Sequence, residues 1–459
     1  MKSKFLLCLF SVLIFQSALF AQTHIWTGNG GDNDWFNVAN WDVATIPSVA
    51  SDVVIPTGFL VEISTAPAEA NSIALTGVTT LTIENNLTLV SLLTLPAASN
   101  INWLGGVING GGTIDNDGLI QLESFEDKKL SNITLNNYGA IYITNSNLIR
   151  LEQGVVINNY ENANIDILSN GGMVQDDLGN SLNNYGTINK LDDGSGGGGS
   201  FYMIYDMNNF GTLDIAEGHQ YLFLVTSANL YNAETGVMQG SGAYDITATF
   251  TNDGTFSPAG SGTVGTMDVV NNFTFTANAK LEIDIAGANP GAYDVMEVFG
   301  FPDLGGSIQI NLTYAPEIGD EYGIITANDI TSCTLSDYVY ATYEGLEYTF
   351  IVFCNSTNVT LRMVEINLAT PDFASEKIEF YVQPNPVTDN SQFIFPSDVL
   401  QLYPEAYISI LNSLGQEIER ISTMSEYTPF NGSHLASGIY VARLYSGKTT
   451  LAISKFVKL

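Results

Sequence analysis

A short unit recurs through the middle of the chain, and its spacing constrains the fold more than any other feature. The unit is an apolar residue, one or two Asn, an aromatic residue or Asp and, in most copies, Gly, as in residues 135–139. The last Asn of each copy lies at Asn116, Asn137, Asn159, Asn184, Asn209, Asn232, Asn252 and Asn272. These positions are about 20–25 residues apart, which is the length of one coil of a solenoid.

The segments between these units alternate between apolar and polar residues, as in 164–167 and 213–215. Alternation is typical of a strand with one face inward, whereas a helical repeat would place apolar residues three and four apart. One coil cannot bury its apolar face alone, but stacked coils share a continuous core. We therefore predict an all-β chain whose body, residues 70–275, is a right-handed parallel β-helix.

The repeated Asn has a structural interpretation, which we favour over a binding role. An inward Asn at the same corner of every coil can hydrogen-bond to the coils above and below, and Asn tolerates left-handed turns. The aromatic residues that follow could stack inside the core. Residues 194–200 are Gly and Ser alone, so they predict a flexible excursion from one coil.

The start of the body, residues 22–69, carries several short Trp motifs. They are Trp26-Thr27-Gly28, Trp35 and Asn40-Trp41, followed by residues 51–56. These motifs resemble the opening of large bacterial surface β-solenoid proteins, which implies an aromatic cap over the first coil, where strand edges would otherwise be exposed. A platform on which the rings stack against a sugar is the alternative, and we favour the cap.

The acidic loop at residues 32–34, Asp-Asn-Asp, has the hard oxygen ligands that calcium prefers. Its spacing departs from that of an EF-hand loop, so an Asx-rich turn is favoured over a calcium site. The sequence otherwise predicts no metal site, because the three histidines, His24, His219 and His434, are far apart.

Residues 276–365 keep the strand pattern without the Asn unit, and we interpret them as a C-terminal extension of the solenoid. Segments such as 280–285 and 290–298 resemble the end of passenger segments in autotransporter-type adhesins. Asp294 and Glu297 need be no more than solvated side chains. Cys333 and Cys354 are expected either to form a disulfide worth about 3 kcal/mol or to lie as free thiols in neighbouring strands. Residues 366–376 are interpreted as a linker.

The charge balance excludes nucleic acid as a partner. The chain of 459 residues has 48 acidic and 14 basic residues and a net charge of −34, whereas phosphate binding needs basic patches. We favour a solvated acidic surface over a specific cation site. Residues 1–21 have the positive start, apolar stretch and small final residue of a secretory signal peptide, and no other segment is predicted to span a membrane as a helix.

The last segment, residues 377–459, carries four short motifs in a fixed order: 381–386, 407–417, 435–441 and 455–458. Together they resemble the type A C-terminal sorting domain of the type IX secretion system. The prolines, glycines and short alternating strands predict a small Ig-like β-sandwich, for which an ordinary binding module is the alternative. The resemblance implies that outer-membrane secretion machinery binds the domain and exports the body. The sorting residues it implies are Pro384, Asn385, Pro386, Gly415, Gly438, Tyr440, Lys455 and Lys458.

We predict no catalytic residue and no cofactor, although parallel β-helices also host polysaccharide lyases and pectin hydrolases. The candidate acids are Asp115 with Asp117, Asp176 with Asp177 and Asp192 with Asp193, and the candidate bases are Lys128, Lys129, Arg150 and Lys190. The acids lie beside Asn or Gly in predicted turns, which favours solvated side chains over a hydrolytic pair.

The favoured hypothesis is therefore a non-catalytic, adhesin-like solenoid, secreted or anchored at the outer cell surface, that presents a repetitive face to a glycan, a matrix or another cell. The alternative is a β-helix enzyme acting on a polysaccharide. A cluster of carboxylates with one Arg on a single face would favour the enzyme. A face that carries ladders of Asn, Thr and Ser would favour the adhesin.

Overall fold

The computed structural model describes residues 22–459 except 145–147, 169, 193–198, 224–228, 248, 369–377, 398, 413–414, 424 and 448. The predicted signal peptide, most of the Gly-rich run and most of the predicted linker therefore lie outside the described residues. The chain divides into two compact units, Met1–Asn367 and Leu368–Leu459. Within the described parts of both units, no helix is long and apolar enough to cross a membrane.

The first unit is a parallel β-helix in which each coil contributes a strand to each of three sheets in turn. Sheet A consists of Gln22–Ile25, Ser51–Ile55, Ser72–Leu75, Leu92–Leu95, Thr113–Asn116, Thr134–Asn137, Val156–Asn159, Ser181–Asn184, Asp206–Asn209, Asn229–Asn232 and Thr249–Asn252. Sheet B consists of Leu60–Ile63, Thr80–Ile83, Asn100–Trp103, Leu119–Leu122, Ala140–Ile143, Asn164–Ile167, Thr187–Lys190, Thr212–Ile215, Val237–Gly240, Thr255–Pro258, Lys280–Ile285 and Ser307–Leu312.

Sheet C begins as the third side of the same coils and ends as an antiparallel sheet. Its parallel strands are Ala68–Ala70, Leu87–Leu89, Gly106–Asn109, Lys128–Ser131, Leu148–Glu152, Gly172–Gln175, Ser200–Ile204, Gln220–Phe223, Ala243–Ile246, Thr266–Val270, Val295–Phe299 and Glu321–Ala327. The remaining strands are Asn358–Leu368, Leu346–Cys354 and Tyr338–Tyr343. The pairing of Glu321–Ala327 with Asn358–Leu368 is antiparallel, so the chain reverses there and the parallel stack ends.

The strands of successive coils pair in register, which stacks like residues in the core. In sheet A, Thr134–Asn137 pairs with Val156–Asn159, and Leu135 lies opposite Ile157. Both strands bury their second and fourth residues, as expected of a strand with one inward face. The predicted all-β fold and parallel β-helix body are confirmed.

The parallel coils begin before residue 70, the predicted start of the solenoid body. Ser51–Ile55 pairs with both Gln22–Ile25 and Ser72–Leu75. Residues 51–70 therefore form a complete coil, and the segment that covers the first coil is shorter than 22–69. This coil has the same alternating burial as the later ones.

A few short elements of the first unit lie outside the three sheets. Asp303–Leu304 pairs with Ser332–Cys333, and a disulfide joins Cys333 to Cys354, whose Cα atoms are 6.5 Å apart. One 3-10 turn, Val38–Asn40, lies in the N-terminal loop.

The second unit is a small antiparallel β-sandwich. One sheet is formed by Tyr381–Gln383, Ser391–Ile394 and Tyr427–Phe430, and the other by Glu417–Ser422, Tyr407–Leu411, Gly438–Ser446 and Thr449–Lys458. A short helix, Val399–Leu402, follows the second strand. The two sheets share a core of their own, to which Phe393, Ile408 and Phe456 contribute fully buried side chains.

Candidate binding faces and sorting motif

The last Asn of each repeat unit forms a continuous ladder inside the solenoid. The side-chain amide of Asn116 donates to Asn137, and the chain of amides continues through Asn159, Asn184, Asn209 and Asn232 to Asn252, with N···O distances of 2.6–2.8 Å. All seven side chains are fully buried. Each bond satisfies polar groups that would otherwise be orphaned in the core.

Asn272, the eighth copy in the sequence, does not belong to this ladder. Sheet A ends at Asn252, whose amide nitrogen is buried without a partner. Asn272 is exposed, and its side-chain oxygen accepts a hydrogen bond from the backbone N–H of Phe301 at 2.9 Å. The prediction fails there because the coil no longer returns to the same corner.

In four successive units, the preceding Asn forms a second ladder on the outer face of sheet A, which we call the outer amide ladder. Asn136 donates to Asp115, Asn158 to Asn136, Asn183 to Asn158 and Asn208 to Asn183, at 2.8–2.9 Å. These side chains are half-buried, so they remain accessible along the face.

The aromatic residues of four successive units stack along the edge of the same face rather than inside the core. Tyr138, Tyr160, Tyr185 and Phe210 are nearly parallel to their neighbours, with successive ring centroids 4.4, 6.1 and 4.9 Å apart. Tyr138 and Tyr185 are each 44% exposed. Because the rings cover one another's faces, this stack presents mainly ring edges and hydroxyl groups to a partner.

The Gly that follows Tyr138, Tyr185 and Phe210 lets successive coils approach closely. A Cβ built at Gly211 would collide with the backbone carbonyl of Gly186 in the previous coil, and one at Gly139 would collide with that of Gly118. The Asn-Asn-aromatic-Gly unit thus combines an outward amide, an inward amide, an outward ring and a close backbone contact.

A cluster of charged residues lies on the outer face of sheet C. Arg150 contacts Asp176 at 2.7 Å and Asp127 at 3.5 Å, while Lys129 contacts Glu152 at 3.1 Å and Asp176 at 3.2 Å. Partial burial raises the pKa of Asp176, but the hydrogen bonds from Arg150 and Lys129 outweigh it and leave that pKa below its ordinary value. Hydrogen bonds to Glu152 and Asp176 raise the pKa of Lys129.

Two candidate bases, Lys128 and Lys190, are buried within the solenoid wall. The ammonium of Lys128 donates to the carbonyl oxygens of Ser124 and Glu126 at 2.9 and 3.0 Å. Burial lowers the pKa of Lys128. Lys190 donates to the carbonyl oxygen of Leu191 at 3.2 Å. These contacts tie both ammonium groups to the adjoining loops.

In the two aspartate pairs that the structure describes in full, the two carboxylates have different partners. Asp115 belongs to the outer amide ladder, whereas Asp117 is exposed in a turn. Asp176 is ion-paired, whereas Asp177 accepts from the backbone N–H of Gln153 at 2.9 Å.

The third candidate pair is described only in part. Asp192 lies 3.6 Å from the buried ring of His219. Its predicted companion, Asp193, lies outside the described residues.

Trp26, Trp35 and Trp41 pack against one another in the core and are at most 2% exposed. Trp41 lies edge-on to both other rings at centroid distances of 5.0 and 4.9 Å, and its indole N–H donates to the carbonyl oxygen of Trp35 at 2.8 Å. The alternative of a sugar-stacking platform is therefore wrong for these rings, because no ring face is open to a ligand.

The Asp32–Asp34 loop is organised by internal hydrogen bonds. Asp32 accepts from the side-chain amides of Asn37 and Asn40 at 2.9 and 2.8 Å. These hydrogen bonds lower the pKa of Asp32. Throughout the described part of the chain, no three His, Cys, Asp or Glu side chains are grouped to hold a metal ion.

Asp294, predicted to be solvated, is fully buried in the C-terminal coils. Its carboxylate accepts from the backbone N–H groups of Gly265 and Asp284 at 2.7 and 2.8 Å. Burial raises its pKa to about 7. The neighbouring Asp284 is also buried and has one oxygen without a partner. Asp294 is two and four residues before the buried Met296 and Val298, so strand alternation places it on their inward face, and this signal was available from the sequence.

In the second unit, the first and last sorting motifs lie together. The side-chain oxygen of Asn385 accepts from the backbone N–H of Val457 at 2.9 Å, and its amide lies 3.4 Å from the carbonyl oxygen of Lys455. Pro384, Asn385, Pro386 and Lys455 are exposed, and Lys458 is half-buried. This arrangement brings two motifs 70 residues apart to one accessible edge.

The remaining sorting residues have structural positions. Tyr440 is buried and stacked on Phe456 at 5.6 Å, and its hydroxyl donates to the carbonyl oxygen of Ala436 at 2.8 Å. Gly415 has φ 78°, a left-handed turn conformation that favours glycine. Gly438 begins a strand opposite Lys458.

Comparison with known proteins matches residues 381–458 to the family model described as the secretion system C-terminal sorting domain. This match covers nearly all of the second unit. No curated protein matches the chain.

Proposed function

We propose that this chain, which carries a type IX secretion system C-terminal sorting domain after a parallel β-helix, is a non-catalytic, adhesin-like protein that binds glycan outside the cell. The sorting domain implies export to the medium or to the cell surface and an interaction with the type IX machinery. The observation that carries the binding role is the outer amide ladder on sheet A.

The ladder leaves hydrogen-bonding capacity for a partner in the coils that contribute an Asn to it. Asn158 donates one N–H to Asn136 and accepts one from Asn183. An amide has two N–H donors and two lone pairs, so one of each remains. Strands recur about every 4.8 Å along a sheet, so equivalent groups repeat along the face. Many weak and equivalent contacts of this kind can sum to useful avidity for a repetitive polymer.

The charge of the chain favours an uncharged polymer as the partner. The net charge of −34 would repel an acidic polysaccharide. Amide groups bind hydroxyl groups without charge. We therefore expect a neutral glycan to be the preferred partner of the outer amide ladder.

The Arg150 cluster is the observation that favours an enzyme, and its electrostatics argue against one. A glycoside hydrolase needs a carboxylic acid that stays protonated near neutral pH, and general-base catalysis needs a base with a pKa close to the working pH. In this cluster, the hydrogen bonds leave the pKa of Asp176 below its ordinary value and raise the pKa of Lys129. Both shifts are opposite to those that a general acid and a general base need. We interpret this cluster as a solvated ion-pair network.

The test uses the chain without residues 1–21 and a panel of neutral and acidic polysaccharides. Retention on the polymer and the appearance of new chain ends are measured together. We expect retention on a neutral glycan without cleavage. New chain ends would overturn the non-catalytic role, and Arg150→Ala would then show whether the cluster is responsible.

A matched pair of variants locates the binding face. Asn158→Ala with Asn183→Ala removes two members of the outer amide ladder, whereas Asn102→Ala with Asn164→Ala removes two outward amides from sheet B. We expect the first variant to lose retention several-fold and the second to keep it. Equal retention by both variants would contradict a role for the ladder.

A further inference from the structure

A cleft of about 490 Å³ opens where sheet A ends. The last strand of that sheet, Thr249–Asn252, is followed in the next coils by isolated bridges, Asn252 to Phe275 and Thr274 to Asp303. Without full strands, this side of the solenoid does not close as tightly as the regular coils. The cleft has the size of a typical small-molecule site.

The cleft is lined by three aromatic rings and by polar groups from successive coils. Phe301 is 53% exposed, although burial of an aromatic side chain is usually favourable. The rest of the cleft wall includes Phe250, Asn272 and Asp329. An exposed ring beside amide and carboxylate groups matches a ligand that has both an apolar face and a hydroxyl rim.

The polar groups of the cleft are held in place but not saturated. The side-chain oxygen of Asn272 accepts from the backbone of Phe301, which leaves the amide nitrogen as a donor. Asp303 lies 3.5 Å from the hydroxyl of Thr274. The disulfide at Cys333 lies two residues after Thr331 and ties this wall to Cys354.

We propose that this cleft binds an uncharged saccharide, with the C–H face of one sugar ring on Phe301 and its hydroxyl groups on Asn272, Asp303 and Asp329. The inference rests on the proposed glycan-binding function and adds a second, discrete site to the repetitive face. Carboxylates accept strong hydrogen bonds from hydroxyl groups. Two carboxylates in one cleft repel a uronate or a sulfated sugar, which excludes anionic saccharides as ligands.

The experiment titrates the chain with three soluble probes in a calorimeter: a trimer of N-acetylglucosamine, a β-1,4-linked glucose trimer and a galacturonate trimer. We expect one of the two neutral trimers to bind and the galacturonate trimer not to bind. Phe301→Ala should weaken that binding by about tenfold, and Phe301→Tyr should restore it. Asp303→Asn should weaken it as well.

The matched control is Phe125→Ala, which removes an even more exposed ring (71% exposed) from another part of the solenoid. We expect this variant to bind the trimer as tightly as the parent chain does. All variants should have the melting temperature of the parent chain. Unchanged binding in Phe301→Ala, or tight binding of galacturonate, would overturn the cleft proposal.

The same variants separate this proposal from the proposed function. If the chain is retained on glycan and only the Asn158 and Asn183 substitutions reduce retention, the function stands and the cleft proposal falls. If the parent chain binds neither the polysaccharides nor the trimers, both fall.

Discussion

At the scale of single residues, Asn158 and Asn159 form similar amide ladders in different surroundings. Asn159 is fully buried and bonded to Asn137 and Asn184, so its removal leaves two buried polar groups without partners. We expect Asn159→Ala to lower the free energy of unfolding by about 2–4 kcal/mol. Asn158 is half-buried, so water can replace the hydrogen bonds that its partners lose. Asn158→Ala should therefore lower the free energy of unfolding by less than about 1 kcal/mol. Urea unfolding compares the two, and equal midpoints would contradict the buried role of Asn159.

The buried carboxyl of Asp294 predicts a pH dependence of stability. Burial raises its pKa from 3.8 to about 7, and the charge of the nearby Asp284 adds to the effect. A pKa higher in the folded than in the unfolded chain means that the folded state holds the proton more tightly. This contribution to stability is present below about pH 4 and is lost as the pH rises to about 7, up to about 4 kcal/mol in all.

The pH prediction is measured by thermal unfolding between pH 4 and 8. Asp294→Asn should remove the part of the pH slope that belongs to this carboxyl. Asp117→Asn, a substitution at an exposed turn residue, should leave the slope unchanged. A slope that is the same in all three chains would show that Asp294 is ionised throughout.

At the scale of the elements, the repeat predicted the coils because its signal is local and periodic. The alternation of residues 135–138 places Leu135 and Asn137 inward, and the same alternation places Tyr138 outward, so the position of the aromatic stack was also available from the sequence. Asn272 matches the unit but lies after the end of sheet A, where partners are set by the next coils. The cleft was not predictable, because residues 250, 272, 301 and 329 meet only when four coils stack.

The disulfide predicts how the last elements of the solenoid respond to reduction. Cys333 and Cys354 close a loop of 21 residues, and cross-links of this length contribute about 3 kcal/mol. We expect Cys333→Ser with Cys354→Ser to make residues 334–353 sensitive to protease, while the coils of sheets A and B remain protected. Limited proteolysis with mass spectrometry measures this, and reduction of the parent chain should reproduce it. Protection that is unchanged in the reduced chain would contradict the prediction.

At the scale of the whole molecule, each unit has a separate core. We therefore expect that the export signal and the binding face can be separated by truncation. The first unit buries its own stacks of apolar residues, and the second buries its own around Phe393 and Phe456. We expect deletion of residues 378–459 to leave the melting of the solenoid unchanged but to abolish its appearance outside the outer membrane. The converse fusion, residues 378–459 behind a periplasmic carrier protein, should carry that protein out. Cell fractionation measures both, and export of the truncated chain would mean that the solenoid itself contains an export signal.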